Sequence, residues 1–235
     1  MLRLTRRLSL LIALLPWGAR TGVAQSRMDE PSVTAGALRF SEGSALKSAV
    51  FAGLETSLPW TTVAAPRYLR GLAISTRLAA SLAFPRTDGT QFALVAVDAG
   101  DTTRFTARSQ RVGFSQLSGD LRFALPAFGG RVFVGGGAGA YAVWMARRPG
   151  ASARARFGPL AAFGGGYEHV VASRIALRAE ARTIRYFAFD RSALDVTSSY
   201  ASATLVRDAL RPPPTSRTQS SSEISLAVRV TPRAW

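Results

Sequence analysis

Residues 173–186 read Ser173-Arg174-Ile175-Ala176-Leu177-Arg178-Ala179-Glu180-Ala181-Arg182-Thr183-Ile184-Arg185-Tyr186. In an extended chain successive side chains point to opposite faces, so Arg174, Arg178, Glu180 and Arg182 share one face while Ile175, Leu177, Ala179 and Ala181 share the other. A strand with that split stands between two different surroundings. In a lipid-facing barrel the apolar face meets hydrocarbon and the ionic face lines the lumen. A soluble barrel needs the reverse, with its apolar face turned in.

The same period of two recurs along the chain. Over 109–125 the ionic parity carries Gln116, Ser118, Asp120 and Arg122 against Leu117, Leu121, Phe123 and Leu125, and the last strand sets Glu223, Ser225 and Arg229 against Ile224, Leu226, Val228 and Val230. Lys47 and Glu55 oppose Val50, Ala52, Leu54 and Leu58, and Arg77 falls with Ser75 and Ser81. The expected inner network is therefore Lys47, Glu55, Arg77, Asp120, Arg122, Arg178, Glu180, Arg182, Glu223 and Arg229. Its mixed signs allow neighbours to pair across strands, which isolated charges in a narrow lumen would require.

Turn chemistry divides the chain into eight strand-like runs near 45–58, 67–84, 90–98, 109–125, 131–146, 156–170, 174–189 and 220–231. Short connections at 85–89, 126–130 and 171–173 carry Asp-Gly, Gly-Gly and small residues. Longer ones fall at 59–66, 99–108, 147–155 and 190–219, the last made mobile in character by Arg211-Pro212-Pro213-Pro214 and a serine run. This places the short turns on one side and the long loops on the other. Segment 32–40 is also strand-like, which leaves eight and ten strands both open. The fold expected is all-β: a closed antiparallel up-and-down transmembrane β-barrel, in which an even strand number leaves no edge.

Met1 to Ala24 has the layout of a cleaved secretory signal: Arg3, Arg6 and Arg7, the apolar run Leu8–Leu15, then Gly22-Val23-Ala24. That run of eight residues, apolar but for Ser9, falls well short of the roughly 20 a spanning helix needs. The chain thus divides into a signal at 1–24, an N-terminal segment at 25–44 and a barrel over 45–235. Of the formal net charge of +16, the signal holds Arg3, Arg6, Arg7 and Arg20 and no acid, leaving +12 on the mature chain. Export argues against nucleic acid as the partner of that basic excess. There is no cysteine, hence neither a disulfide framework nor a thiolate metal site.

An eight-stranded barrel has an interior that side chains fill, so the lumen is expected to be plugged by its ionic residues. The alternative is a narrow anion-favouring pore, since rings of arginine select anions. Glycines at 135–139 and 164–166 lack the lysine and following helix of a phosphate loop; inside strands they leave room for long arginines to lie across the lumen. Trp60, Tyr68, Phe84, Phe92, Phe123, Phe128, Tyr141, Trp144, Tyr167, Tyr186 and Phe187 fall near strand ends, as interfacial girdles do. In the loops, Arg104, Arg108, Arg111, Arg147, Arg148, Arg154 and Arg156 suit bidentate contact with phosphate, and Arg147, Arg148, Arg154 and Arg156 are the candidates for lipopolysaccharide.

The single histidine, His169, shares the outward parity of Phe163 and Tyr167. Outer-membrane lipid A deacylases, similar to this chain in architecture, carry a serine two residues after the histidine; Val171 stands there, so no catalytic residue, metal or cofactor is expected.

The run Phe163-Gly164-Gly165-Gly166-Tyr167-Glu168 followed by Leu177-Arg178-Ala179-Glu180-Ala181-Arg182 resembles the hairpin of OmpA-like outer-membrane β-barrel proteins. That resemblance implies a monomer in the outer membrane with a structural or surface-interaction role and no enzymatic activity. It also implies a terminal aromatic residue read by the barrel assembly machinery during insertion. Trp235 stands at that position, beyond Pro232 and Arg233.

Overall fold

The computed structural model describes residues 30–58, 60–64, 66, 69–89, 94–98, 101–105, 109–145, 155–189, 194 and 218–230. The signal at 1–24, most of the long loop at 190–219, Arg147, Arg148, Arg154 and Trp235 lie outside them.

Eight long strands close into one ring: β1 (Glu30–Phe40), β2 (Ala49–Ser57), β4 (Ala73–Ala83), β7 (Val112–Ala127), β8 (Gly130–Met145), β9 (Ala155–Ala172), β10 (Ile175–Phe187) and β11 (Thr218–Val230). Every pairing is antiparallel between chain neighbours, β1 meets β11 to seal the ring, and β2 meets β4. The two-residue β3 (Thr61–Thr62) continues the line of β2 along β4, one register step out of phase. The result is a closed antiparallel up-and-down eight-stranded β-barrel, with no sheet edge left bare.

The count of eight holds, but one expected member is exchanged for another. Residues 30–40, assigned above to an N-terminal segment at 25–44, form β1, with Ala35 paired to Ala52 on one side and Leu226 on the other. Conversely, the run at 90–98 gives β5 (Leu94–Asp98), which pairs only with β6 (Asp101–Phe105) in a separate hairpin outside the barrel sheet. An apolar run specifies a strand without naming its partner, and here the partner is local.

This exchange also moves two connections from one end to the other. The chain start of β1, the connection 58–72, the two-residue turn 128–129 and the turn 173–174 lie at one end, the turn end. Connections 41–48, 84–111, 146–154 and 188–217 lie at the other, the loop end. Hence 59–66 belongs with the turns, and 85–89 belongs to a long loop. At 128–129 both residues take positive φ, 50° for Phe128 and 74° for Gly129, as a two-residue hairpin turn between right-twisted strands requires.

The alternation read from residues 173–186 is realised through β10 and β11, where burial switches at nearly every residue. Ile175, Leu177, Leu226 and Val228 face outward and are exposed, whereas Arg178, Glu180 and Arg229 are buried inside. Arg174 is the exception in that stretch: it sits in the turn before β10 and is exposed. The exposed outer belt includes Val33, Leu54, Leu78, Leu117, Leu121, Val134, Phe163, Ile224 and Leu226. So large a continuous apolar surface is not a water-facing one.

Candidate functional site

The lumen holds three layers, ordered along the barrel axis by the strand positions of their residues. The middle layer is ionic. Arg77, rising from β4, donates from Nε and Nη2 to Asp120 Oδ2 at 2.9 and 2.6 Å, from Nη1 to Glu55 Oε2 at 3.2 Å, and from Nη1 and Nη2 to Glu180 at 2.6 and 3.1 Å. Arg178 pairs with Glu55 and lies 3.3 Å from Glu180, while Arg182 Nη2 donates to Asp120 Oδ1 at 3.1 Å. Ser32 Oγ donates to Glu55 Oε1 at 2.6 Å. Three arginines and three carboxylates from β2, β4, β7 and β10 thus pair with one another across the bore.

Toward the turn end, Arg229 Nη2 donates to Glu168 Oε1 at 2.9 Å, and Trp60 Nε1 donates to the same oxygen at 3.1 Å. Arg122, 1% exposed, donates to Ser75 Oγ at 3.2 Å and lies over the rings of Trp60 and Phe133, with its guanidinium carbon 5.0 and 5.7 Å from their centroids. Its Nε and Nη1 have no hydrogen-bond partner among the described residues, so the cation is held chiefly by aromatic faces. Trp60, expected in an outer girdle, instead turns under the lumen from the 58–72 connection because Glu168 and Arg122 offer it a partner and a face.

Toward the loop end the lumen is aromatic. Phe40, Phe114, Tyr141, Tyr186 and Phe189 pack edge-to-face and stacked, with centroid distances between 5.1 and 6.4 Å. Leu38, Phe51, Val112, Val143, Leu160 and Ile184 fill the space around them. The two tyrosines reach polar partners: Gln116 Nε2 donates to Tyr186 Oη at 3.0 Å, Tyr186 Oη meets Ser221 Oγ at 2.7 Å, and Tyr141 Oη donates to the Phe187 carbonyl at 3.1 Å. Tyr141 and Tyr186 were expected in the outer girdles. Their parity, shared by Tyr186 with Arg178 and Arg182, sends them inward instead. Below this aromatic layer a cavity of about 20 Å³, lined by residues including Gln116, Arg182 and Glu223, is the size of one water.

Of the expected network, Glu55, Arg77, Asp120, Arg122, Arg178, Glu180, Arg182, Glu223 and Arg229 are all buried in the lumen. Lys47 is not: it precedes β2, in the 41–48 loop, and is exposed, because the strand begins only at Ala49. Glu168 is the member that sequence reading passed over. Its signal was available, since it has the opposite parity to Tyr167 and His169. With Glu168 in and Lys47 out, the described lumen carries five arginines and five carboxylates.

The glycine strands give the long side chains their room. A Cβ at Gly135 would stand 2.8 Å from Arg122 Cγ, and one at Gly164 2.7 Å from Arg182 Cγ. His169 lies outward at the turn end, stacked on Tyr167, whose hydroxyl donates to the Phe128 carbonyl at 2.7 Å. Of the lipopolysaccharide candidates only Arg156 is described, exposed at the loop end of β9. Among the described residues no cluster of three or more His, Asp or Glu side chains is placed to hold a metal.

No family model and no curated protein sequence matches the chain. Among solved structures it is similar to Neisserial surface protein A, with a TM-score of 0.50 and 11% identity over 88% of this chain and 97% of that one. The N-terminal β-barrel domain of Pseudomonas aeruginosa OprF gives 0.37 and 11%, covering 86% of this chain and 98% of that one. Ail, the attachment invasion locus protein of Yersinia pestis, in complex with the heparin analogue sucrose octasulfate, gives 0.40 and 9%, covering 86% and 97%. At 11% identity the likeness to Neisserial surface protein A is one of fold, the closed eight-stranded antiparallel barrel.

Proposed function

We propose that this chain is an outer-membrane β-barrel protein, exported through a cleaved signal, with a structural or surface-interaction role and a lumen closed to ions. The observation that carries the reading is the pairing of an apolar outer belt with an interior occupied by an ionic layer and an aromatic one. A hydrocarbon-facing exterior with a polar, ionic interior is the inversion that a bilayer demands. Inside, the salt-bridged layer fills the bore beneath a plug of Phe40, Phe114, Tyr141, Tyr186 and Phe189. Five arginines facing five carboxylates give no net positive field to favour anions, which tells against the narrow anion pore.

What such a barrel does is then done by its outer surface and loops, in contact with lipid and lipopolysaccharide, with Arg147, Arg148, Arg154 and Arg156 as candidate contacts. Planar-bilayer recording on the purified, refolded protein tests the closed lumen. Silence under applied voltage is the expected result; a steady anion-selective current overturns it in favour of the pore.

A further inference from the structure

At the loop end three cations stand side by side on the outer face. Beyond the ends of β4 and β7 the ladder continues through an isolated bridge between Arg86 and Arg111. Thr87 N–H donates to the Gln110 carbonyl at 2.8 Å and Val112 N–H to the Pro85 carbonyl at 2.9 Å, flanking the Arg86–Arg111 pair on both sides. That makes it a non-hydrogen-bonded pair, the position where facing side chains come closest in an antiparallel ladder.

On the other flank Lys47 N–H donates to the Arg86 carbonyl at 2.8 Å, next to the Leu46–Thr87 bridge. Lys47, Arg86 and Arg111 are all exposed, while Leu46, Pro85, Thr87, Gln110 and Val112 between them are buried. None of the three cations is ion-paired among the described residues. Like charges directly opposite one another destabilise a ladder, so the row is a strained one until an anion lies across it.

Its position says which anion. Leu82, Phe84 and Arg86 follow one outward parity, the first two exposed apolar side chains of the outer belt and the third a cation. Val50 of β2 is exposed alongside. Apolar surface directly below a row of fixed cations complements an amphiphile whose acyl chains lie on the belt and whose phosphate meets the guanidinium forks. Among the rim residues whose burial is described the bias is the same: Arg39, Lys47, Arg86, Arg111, Arg156 and Arg185 are exposed there, against Glu42 and the half-exposed Asp88.

We propose that Lys47, Arg86 and Arg111 form a binding site for the phosphate of a lipid headgroup at the loop-end rim. The proposal rests on the membrane reading above, yet the two fail separately. A barrel that does not enter vesicles sinks the reading; one that enters them and ignores lipid phosphate sinks only the site.

The test titrates the full, folded protein in non-ionic detergent with diphosphorylated lipid A, with dephosphorylated lipid A and with inorganic phosphate. The expected result is that the triple variant K47Q/R86Q/R111Q binds diphosphorylated lipid A at least about tenfold more weakly than wild type, as loss of several charge-assisted contacts implies. The charge-keeping variant K47R/R86K/R111K, which retains the cations but gives up two forks, binds more weakly than wild type and more tightly than the triple glutamine variant. Dephosphorylated lipid A binds wild type no better than the triple variant binds the phosphorylated form, since both lack the phosphate-to-cation contacts. If the triple variant does not fold, R86Q and R111Q are measured singly. Undiminished binding by the neutral variants overturns the site, and inorganic phosphate binding as tightly as the lipid overturns the lipid assignment.

Discussion

Glu180 touches all three arginines of the central layer: Arg77 at 2.6 and 3.1 Å, Arg178 at 3.3 Å and Arg182 at 3.7 Å. Removing it leaves three guanidinium groups sharing Glu55 and Asp120 in a space that water barely enters. Glu180→Leu is therefore expected to cost about 3–5 kcal/mol, the scale for breaking a buried ionic set by deleting one partner. Glu42→Leu, on the exposed loop, should stay within about 0.5 kcal/mol. Urea unfolding in lipid vesicles reads both, and equal effects would show that the layer is only loosely coupled. The glycines give a second prediction at this scale. Gly164→Val puts a branched side chain where Arg182 Cγ already lies 2.7 Å from a bare Cβ, so a loss of about 1–3 kcal/mol is expected in the same assay.

Among the elements, β1 is the one whose place the sequence concealed. Its inward residues are Ser32, Thr34, Gly36, Leu38 and Phe40, with no charge among them, so the contrast of faces that marks β10 is muted. Leu38 and Phe40 are apolar on that inward parity, where ions mark the other strands, and they pack into the buried aromatic layer of the lumen. At Tyr141 and Tyr186 residue type suggested a girdle, parity placed them inside, and parity prevailed. In β7, β10 and β11, where ions mark the inner face unambiguously, the two faces were legible residue by residue. What a single chain cannot display is pairing between distant segments, which is why 90–98 read as a barrel stave rather than half of a local hairpin. The role of β1 predicts that a chain starting at Ala45 will not close, since β2 and β11 are then left with bare edges. Folding into vesicles, followed by circular dichroism and protease protection, should fail for that chain and succeed for the one starting at residue 25.

At the scale of the whole molecule, the distinction between a bilayer and water rests on the outer belt. Leu226, 68% exposed near the middle of β11, would face hydrocarbon in a membrane. Leu226→Arg should then cost about 2–4 kcal/mol in vesicles, the depth-dependent scale for a cation at the midplane. An exposed leucine on a water-facing barrel would accept arginine with almost no penalty, and that outcome would remove the protein from the membrane.

The seam between β1 and β11 joins positions such as Ser32 and Arg229, so the ring is sealed by the two extremes of the described chain. Until the last stave arrives, every earlier hairpin has an open flank, and Arg77 is still waiting for Glu180, which is 103 residues away. The unsealed sheet therefore keeps its ions hydrated and its greasy side unhoused, a species that a watery compartment can tolerate only briefly. Closing the seam between β1 and β11 therefore does three things at once: it seals the sheet, completes the ionic layer and fixes the apolar side as the continuous exterior.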